Sequence, residues 1–243
     1  MPFLEYSSLY WGIHAKAGLS DHARSLALEL LSQYDIHISS TLLFNRIYPF
    51  SWYSGFIAIP LFIGLHCASY FGIVEVVEAL IETRGCDIDQ QDSVEYTALM
   101  WAAFNGKERV VELLLARRDV NPNKLDSYSR TPLAWASTHG DVGVARPPPA
   151  RDDINPDNGS YTPLLWASAC GHEEVVSILL ARQDVNPDNP ERPGGTPLLR
   201  ASIKGHEGVV RLLLAKYDVN PDGPDHYSRT PLCEASTHGR EGL

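Results

Sequence analysis

Residues 162–181 read Thr162-Pro163-Leu164-Leu165-Trp166-Ala167-Ser168-Ala169-Cys170-Gly171-His172-Glu173-Glu174-Val175-Val176-Ser177-Ile178-Leu179-Leu180-Ala181. This stretch spells two short helices joined by a turn. Thr162 suits a helix cap, and Pro163 fits the first helical turn, where a missing N–H costs nothing. Leu164, Ala167 and Ser168 recur at helical spacing, with small residues where a neighbouring helix must come close. Gly171 suits the left-handed turn that ends the first helix. Val175, Val176, Leu179 and Leu180 form the apolar face of the second. Asp184-Val185-Asn186-Pro187-Asp188 follows as turn chemistry.

The same block recurs along the chain. Its Thr stands at Thr97 (followed by Ala98 in place of Pro), Thr131, Thr162, Thr196 and Thr230, at spacings of 34, 31, 34 and 34 residues. A less regular copy runs from Leu65-His66-Cys67-Ala68-Ser69 through Gly72 and Val76-Val77 to Asp87-Ile88-Asp89. Self-similarity at this period marks a stacked array of helix pairs, in which no single unit buries its apolar face alone.

These residues resemble ankyrin repeats, with five copies and the start of a sixth over residues 61–243. The resemblance implies an all-α ankyrin-repeat solenoid of stacked helix-turn-helix pairs with hairpin loops. It also implies a non-enzymatic protein–protein interaction module, and cysteines without disulfide spacing give a cytoplasmic expectation. The family usually carries His after Thr-Pro-Leu, tying one repeat to the next. Here the position holds Met100, Ala134, Leu165, Leu199 and Cys233, and only His66 keeps it. Apolar packing is expected to replace the tie. The following position is Trp101, Trp135 and Trp166, a stripe that reads as helix packing or as a binding ladder.

Residues 1–60 form a separate helical leader by this reading. Tyr6, Leu9, Tyr10 and Ile13 share one helical face, and Ser20 caps a second helix carrying Ala23, Leu26, Ala27, Leu30, Leu31 and Tyr34. Phe3-Leu4-Glu5-Tyr6 with Leu9-Tyr10-Trp11-Gly12-Ile13-His14 is similar to the region ahead of the repeats in fungal NACHT-ankyrin proteins. No phosphate-binding Gly-x-x-x-x-Gly-Lys-Ser/Thr loop occurs, so no cofactor is expected. Between Arg46 and Glu75 the chain lacks Asp, Glu, Lys and Arg, but Pro49 and Pro60 interrupt it. A buried junction is expected there rather than a membrane span.

The net charge of −10 is concentrated in the repeats, since residues 1–63 carry four acids and three bases. That balance argues against nucleic acid and anionic membranes and permits a basic partner. Cys67, Cys86, Cys170 and Cys233 have neither disulfide-framework nor zinc spacing. His172 and His206 follow the turn glycine, and His139 and His238 precede it. Repetition at equivalent positions is what a structural role predicts, and no catalytic or metal constellation is visible.

In the family the partner surface combines the hairpin tips with the residues ending each first helix. Carried onto this sequence, the helix-end candidates are Phe104, Asn105, Thr138, His139, Ile203 and Lys204. The tip candidates are Tyr128, Arg130, Tyr161, Arg192, Tyr227 and Arg229, with Val94 and Tyr96 at the equivalent positions of an earlier repeat. Tyr and Arg are enriched at binding hot spots. Asp92, Asp126, Asp157, Glu191 and Asp225 are expected to accept backbone N–H groups within their hairpins.

The third repeat breaks the pattern. Val144-Ala145-Arg146-Pro147-Pro148-Pro149-Ala150 replaces a run like Val209-Val210-Arg211-Leu212-Leu213-Leu214-Ala215. An interior proline costs ~3 kcal/mol of helix stability, so residues 143–151 are expected to be non-helical and to divide the stack into blocks 61–140 and 153–243. Each of the four differences from the fifth repeat, Leu to Pro three times and Val to Ala once, is of a kind that a single T→C change at the second codon position makes, and clustered mutation is the expected origin. The sixth repeat stops at Gly239-Arg240-Glu241-Gly242-Leu243. The expectation is a fragment of a longer protein, or a degenerate remnant, prone to association through an uncapped end.

Overall fold

The computed structural model describes residues 64–83, 85–92, 94–146, 151–190 and 195–240. The leader helices, the junction before residue 64, the prolines, Glu191 and Arg192 lie outside them. Among the described residues every regular element is helical. They fall into two compact units, one ending at Asn121 and the other beginning at Pro122.

The first unit contains α1 (Gly64–Phe71), α2 (Val74–Ile81), α3 (Ala98–Phe104) and α4 (Glu108–Leu115). The second contains α5 (Pro132–His139), α6 (Val142–Ala145), α7 (Pro163–Cys170), α8 (Glu173–Leu180), α9 (Pro197–Lys204), α10 (Glu207–Leu214) and α11 (Pro231–Thr237). First helices stack on first helices: α1 on α3, and α5, α7, α9 and α11 in sequence. Second helices form their own row of α2 with α4, and α6, α8 and α10. This is the helical ankyrin-type solenoid the repeats call for.

Local chemistry sets each helix. The Oγ1 of Thr97, Thr131, Thr162, Thr196 and Thr230 accepts the backbone N–H three residues on, at 3.2–3.3 Å. Such a cap is worth about 1 kcal/mol. Gly140, Gly171 and Gly205 close their helices at φ of 74°, 79° and 75°. The residues in place of the family's His are buried, Met100 and Ala134 fully so and Leu165 and Leu199 at 3% and 2% exposure; Cys233 is exposed. His66 is buried and its Nε2–H donates to the carbonyl of Gln90 at 2.9 Å.

The lost tie is made elsewhere. In the second unit the Nε2–H of His172 donates to Thr138 O at 3.0 Å, and that of His206 to Ala169 O at 3.1 Å, each crossing to the preceding repeat. Missing β-carbons permit this: a Cβ at Gly140 or Gly171 would lie 2.6 Å from the next repeat's imidazole Nδ1.

A second ladder runs along the turns after the second helices. Asp89 accepts the Asn121 N–H at 2.9 Å in the first unit. In the second unit Asn123 accepts from Asn155 at 2.8 Å, Asp157 from Asn186 at 2.9 Å and Asp188 from Asn220 at 2.8 Å. Arg-x-Asp pairs brace the same turns, with Arg151 and Arg182 forked onto Asp153 and Asp184. Arg182 also reaches Ile154 O at 2.8 Å.

The third repeat corrects one expectation. Gly143, Val144 and Ala145 are helical, because α6 makes one turn from Val142. The N–H groups of Ala145 and Arg146 still bond Asp141 O and Val142 O at 2.8 and 3.1 Å. The helix then stops with Arg146 at φ −92°, ψ 97°, because a following proline disfavours the α region. Val144 and Ala145 remain buried, α6 packs on α8, and the third repeat belongs to the second unit.

Candidate functional surface

Two hairpins of the second unit carry nearly the same six residues. Asp126-Ser127-Tyr128-Ser129-Arg130-Thr131 and Asp225-His226-Tyr227-Ser228-Arg229-Thr230 begin 99 residues apart, three repeat intervals. Each turns through a serine in the left-handed region, Ser129 at φ 58° and Ser228 at φ 61°. Glycine, asparagine and aspartate enter that region most readily, so a serine there is held by the hairpin around it.

The aspartate organises the tip. Asp126 Oδ1 accepts the N–H groups of Tyr128 and Arg130, both at 2.9 Å, and Oδ2 accepts Arg130 Nε–H at 3.0 Å and Trp135 Nε1–H at 3.1 Å. The Arg130 guanidinium lies 3.7 Å from the Trp135 ring centroid and 4.6 Å from that of Tyr128. Asp225 repeats the arrangement with Tyr227 and Arg229 at 2.6–3.0 Å. There Arg229 also meets Glu234 at 2.9 Å and sits 5.0 Å from the Tyr227 ring. Both arginines are held from below, and the tyrosines project at 59% and 68% exposure.

The first unit has a variant of the same hairpin. Asp92 accepts from Val94, Tyr96 and Trp101 Nε1 at 3.0, 2.8 and 2.9 Å. Burial pushes its carboxyl above the usual range, against those hydrogen bonds. Tyr96 does not project: it is 4% exposed and packs 5.2 Å from Trp101.

The aspartate expectation holds for Asp92, Asp126 and Asp225 and fails for Asp157. The loop before Thr162 is three residues shorter, and the aspartate of the hairpin is what it has lost. Asp157 is the turn residue that bonds Asn186 in the next repeat. The indole Nε1 of Trp166 is consequently buried with no hydrogen-bond partner, while its ring packs 5.8 Å from Tyr161. The tryptophan stripe is packing: Trp101 is fully buried, Trp135 is 7% exposed and Trp166 is half-buried.

The remaining candidates divide by exposure. Phe104 is half-buried beside Trp101 at 6.2 Å, and Asn105 donates to Trp101 O at 2.8 Å. Thr138 bonds Ala134 O at 2.8 Å. His139 is exposed, hydrogen-bonded to Trp135 O at 3.1 Å and stacked on its ring. Ile203 is half-buried and Lys204 exposed at the end of α9. Sequence reasoning missed the Asn/Asp ladder and the Arg-x-Asp braces, whose signal was the recurrence of Asp-Val-Asn-Pro-Asp.

Among the described residues no group of His, Cys, Asp or Glu is arranged to hold a metal ion, and no helix is long and apolar enough to cross a membrane. The four cysteines are free thiols.

Comparison with known proteins agrees with this geometry. A family model described as ankyrin repeats (3 copies) matches residues 65–146, and an ankyrin repeat model matches 160–190 and 194–226. No curated protein matches in sequence. An ankyrin repeat domain from Acinetobacter baumannii AYE is 26% identical with a TM-score of 0.64, covering 73% of this chain and 92% of that one. The ankyrin repeat domain of Bcl-3, a member of the IkappaB protein family, is 25% identical with a TM-score of 0.62, covering 72% and 80%. EF0377, an ankyrin repeat protein, shares the fold at 22% identity and a TM-score of 0.64, covering 73% and 92%.

Proposed function

Because the chain belongs to the ankyrin-repeat family, whose members are generally protein-interaction scaffolds, we propose that it is a non-enzymatic protein-binding module. We assign the contact surface to the tips and first-helix ends of the second unit. The observation that carries this is the paired projection of Tyr128 and Tyr227, each beside an arginine bonded to its hairpin aspartate, whereas Tyr96 and Tyr161 take the position of those arginines and lie on tryptophan. An aromatic ring held by an arginine already fixed to a carboxylate contributes contact area with little rotamer entropy left to lose. His139 and Lys204 extend the surface along the first helices. The partner is a protein, not a nucleic acid or a membrane, and the free thiols suit a reducing cytoplasm.

Quantitative capture comparing the unaltered chain with a Tyr128→Ala/Tyr227→Ala variant tests this assignment. A partner enriched by the first and lost with the second supports it. Equal enrichment by both removes the tips from the surface. A second reading, a decayed remnant of a larger NACHT-ankyrin protein, draws on the single turn of α6 and the orphaned indole of Trp166. It is favoured if no partner is captured by either form.

A further inference from the structure

An asparagine can modify itself when the next backbone nitrogen attacks its side-chain carbonyl carbon. Glycine in the next position permits that approach best, having no Cβ in the way. Asn121, Asn155, Asn186, Asn189 and Asn220 are each followed by proline, whose nitrogen carries no proton to give up and cannot attack. Only Asn105 and Asn158 precede glycine.

The two Asn-Gly pairs are held alike at the side chain and differently at the backbone. Asn105 Nδ2–H donates to Trp101 O and Asn158 Nδ2–H to Asn123 O, each at 2.8 Å. The Gly106 N–H closes the end of α3 by bonding Ala103 O at 3.2 Å. The Gly159 N–H makes no hydrogen bond among the described residues. In the one Asp-Gly pair, Asp222-Gly223, the glycine N–H is again engaged, with Asn220 O at 3.3 Å. Asn158 and Gly159 are half-buried and Ser160 is exposed, so water reaches the unrestrained pair.

We propose that Asn158 is a site of spontaneous deamidation, and that its conversion unseats the hairpin carrying Tyr128. The Gly159 nitrogen bonds to Asn158 Cγ and closes a cyclic imide. The side-chain nitrogen leaves as ammonia, taking the proton of the Gly159 N–H. Water then opens the imide. Cleavage at Cγ gives aspartate, and cleavage at the main-chain carbonyl gives isoaspartate, whose chain runs through Cγ. The sum is one water consumed and one ammonia released, with no redox change.

Either product replaces the Nδ2 donor with a carboxylate facing the Asn123 carbonyl, which breaks a tie between the third and fourth repeats. Isoaspartate also lengthens the main chain just before Gly159. That glycine, at φ 95°, packs so closely on Ser129 O that a Cβ would collide with it. Ser129 is the left-handed residue of the Tyr128 hairpin, so the displacement falls on the tip. The equivalent pair one repeat later is Asn189-Pro190, which cannot react. The reaction stands whatever the tips contact; only its effect on a partner rests on their being the contact surface.

The test ages the folded full chain for weeks at mildly alkaline pH and body temperature. Electron-transfer mass spectrometry of its peptides then separates asparagine, aspartate and isoaspartate at each position. Asn158 is expected to convert at least ~5-fold faster than Asn105, the factor supplied when one hydrogen bond must break first. In urea, where the Gly106 N–H is released, the two should convert at similar rates. Hydrogen exchange across the Tyr128 hairpin should be faster in the aged chain than in the fresh one. Aged Asn158→Gln should show no such change, because the longer amide closes its ring far more slowly. Equal rates at Asn105 and Asn158 in the folded chain, or no conversion of Asn158, overturn the site. Conversion of Asn158 with unchanged exchange in the hairpin, or the same loosening in aged Asn158→Gln, overturns the link to the tip.

Discussion

The indole Nε1–H of Trp135 donates to the buried Asp126 carboxylate at 3.1 Å, and the same atom of Trp166, one repeat later, has no acceptor. Nine residues separate Trp135 from its aspartate. Nine residues before Trp166 the chain has Asp157, engaged with Asn186 instead.

Trp135→Phe should therefore cost more than Trp166→Phe, although the two lose the same atoms. The first leaves Asp126 short of a donor, while the second removes an unsatisfied one. The difference should be about 1–2 kcal/mol in urea unfolding. Equal costs would mean that Trp166 Nε1–H finds an acceptor in solution.

Asp126→Ala removes the acceptor for two backbone N–H groups, the Arg130 guanidinium and the Trp135 indole. A loss of about 2–4 kcal/mol is expected, because breaking one side of a buried ion pair leaves its partner uncompensated. A loss under about 1 kcal/mol, with an unchanged urea slope, would show that the tip re-forms without its carboxylate.

Two glycine replacements should act in opposite directions. Gly171 sits at φ 79°, and a Cβ there meets the His206 ring at 2.6 Å. Gly171→Ala should lose about 2 kcal/mol or more through the left-handed backbone and the displaced inter-repeat tie. Gly208 lies within α10 with no positive φ, and the atoms nearest a Cβ there are the carboxylate end of the exposed Glu173 side chain. Gly208→Ala should be neutral or stabilising by up to about 1 kcal/mol. Paired urea titrations decide both signs.

The first unit should weaken in mild acid. Burial lowers the His66 pKa from 6.5 to about 4, against the hydrogen bonds to the Gln90 and Tyr96 carbonyls. The unfolded chain takes up a proton near pH 6.5 that the folded chain refuses until about pH 4. Stability from this group is thus complete above pH 6.5, declines between 6.5 and 4, and is gone below, a loss of roughly 3 kcal/mol. Hydrogen-exchange protection factors of α1 and α3, taken relative to the intrinsic rate at each pH, should fall across that range in the unaltered chain and much less in His66→Gln. Parallel pH dependence in the two would assign the acid sensitivity to other groups.

What the sequence disclosed follows from how local each cause is. Thr162 capping Leu165 N–H and Gly171 in the left-handed region are settled within a few residues, and both are visible in Thr-Pro-Leu and Gly-His. The tyrosine tips were also legible, because Asp126 and Arg130 are four residues apart. The inter-repeat bonds were not: His172 to Thr138 and Asp157 to Asn186 span 34 and 29 residues, and the motif does not name its partner. The three-residue deletion was visible as the 31-residue spacing. Its consequence at Trp166 required knowing that the missing residue was the tryptophan's acceptor. In α6, one helical turn survives because proline acts on the residue before it and not on the N–H groups of Ala145 and Arg146.

The most direct test of the central claim is site-specific photo-crosslinking from four positions of the full chain in its source cells. Benzoylphenylalanine would replace Tyr128 and Tyr227 at the tips, and Glu174 and Arg211 on the second helices. The account predicts one shared protein adduct from positions 128 and 227 and none from 174 and 211. An adduct confined to 174 and 211 would contradict it by placing the partner on the opposite side of the second unit.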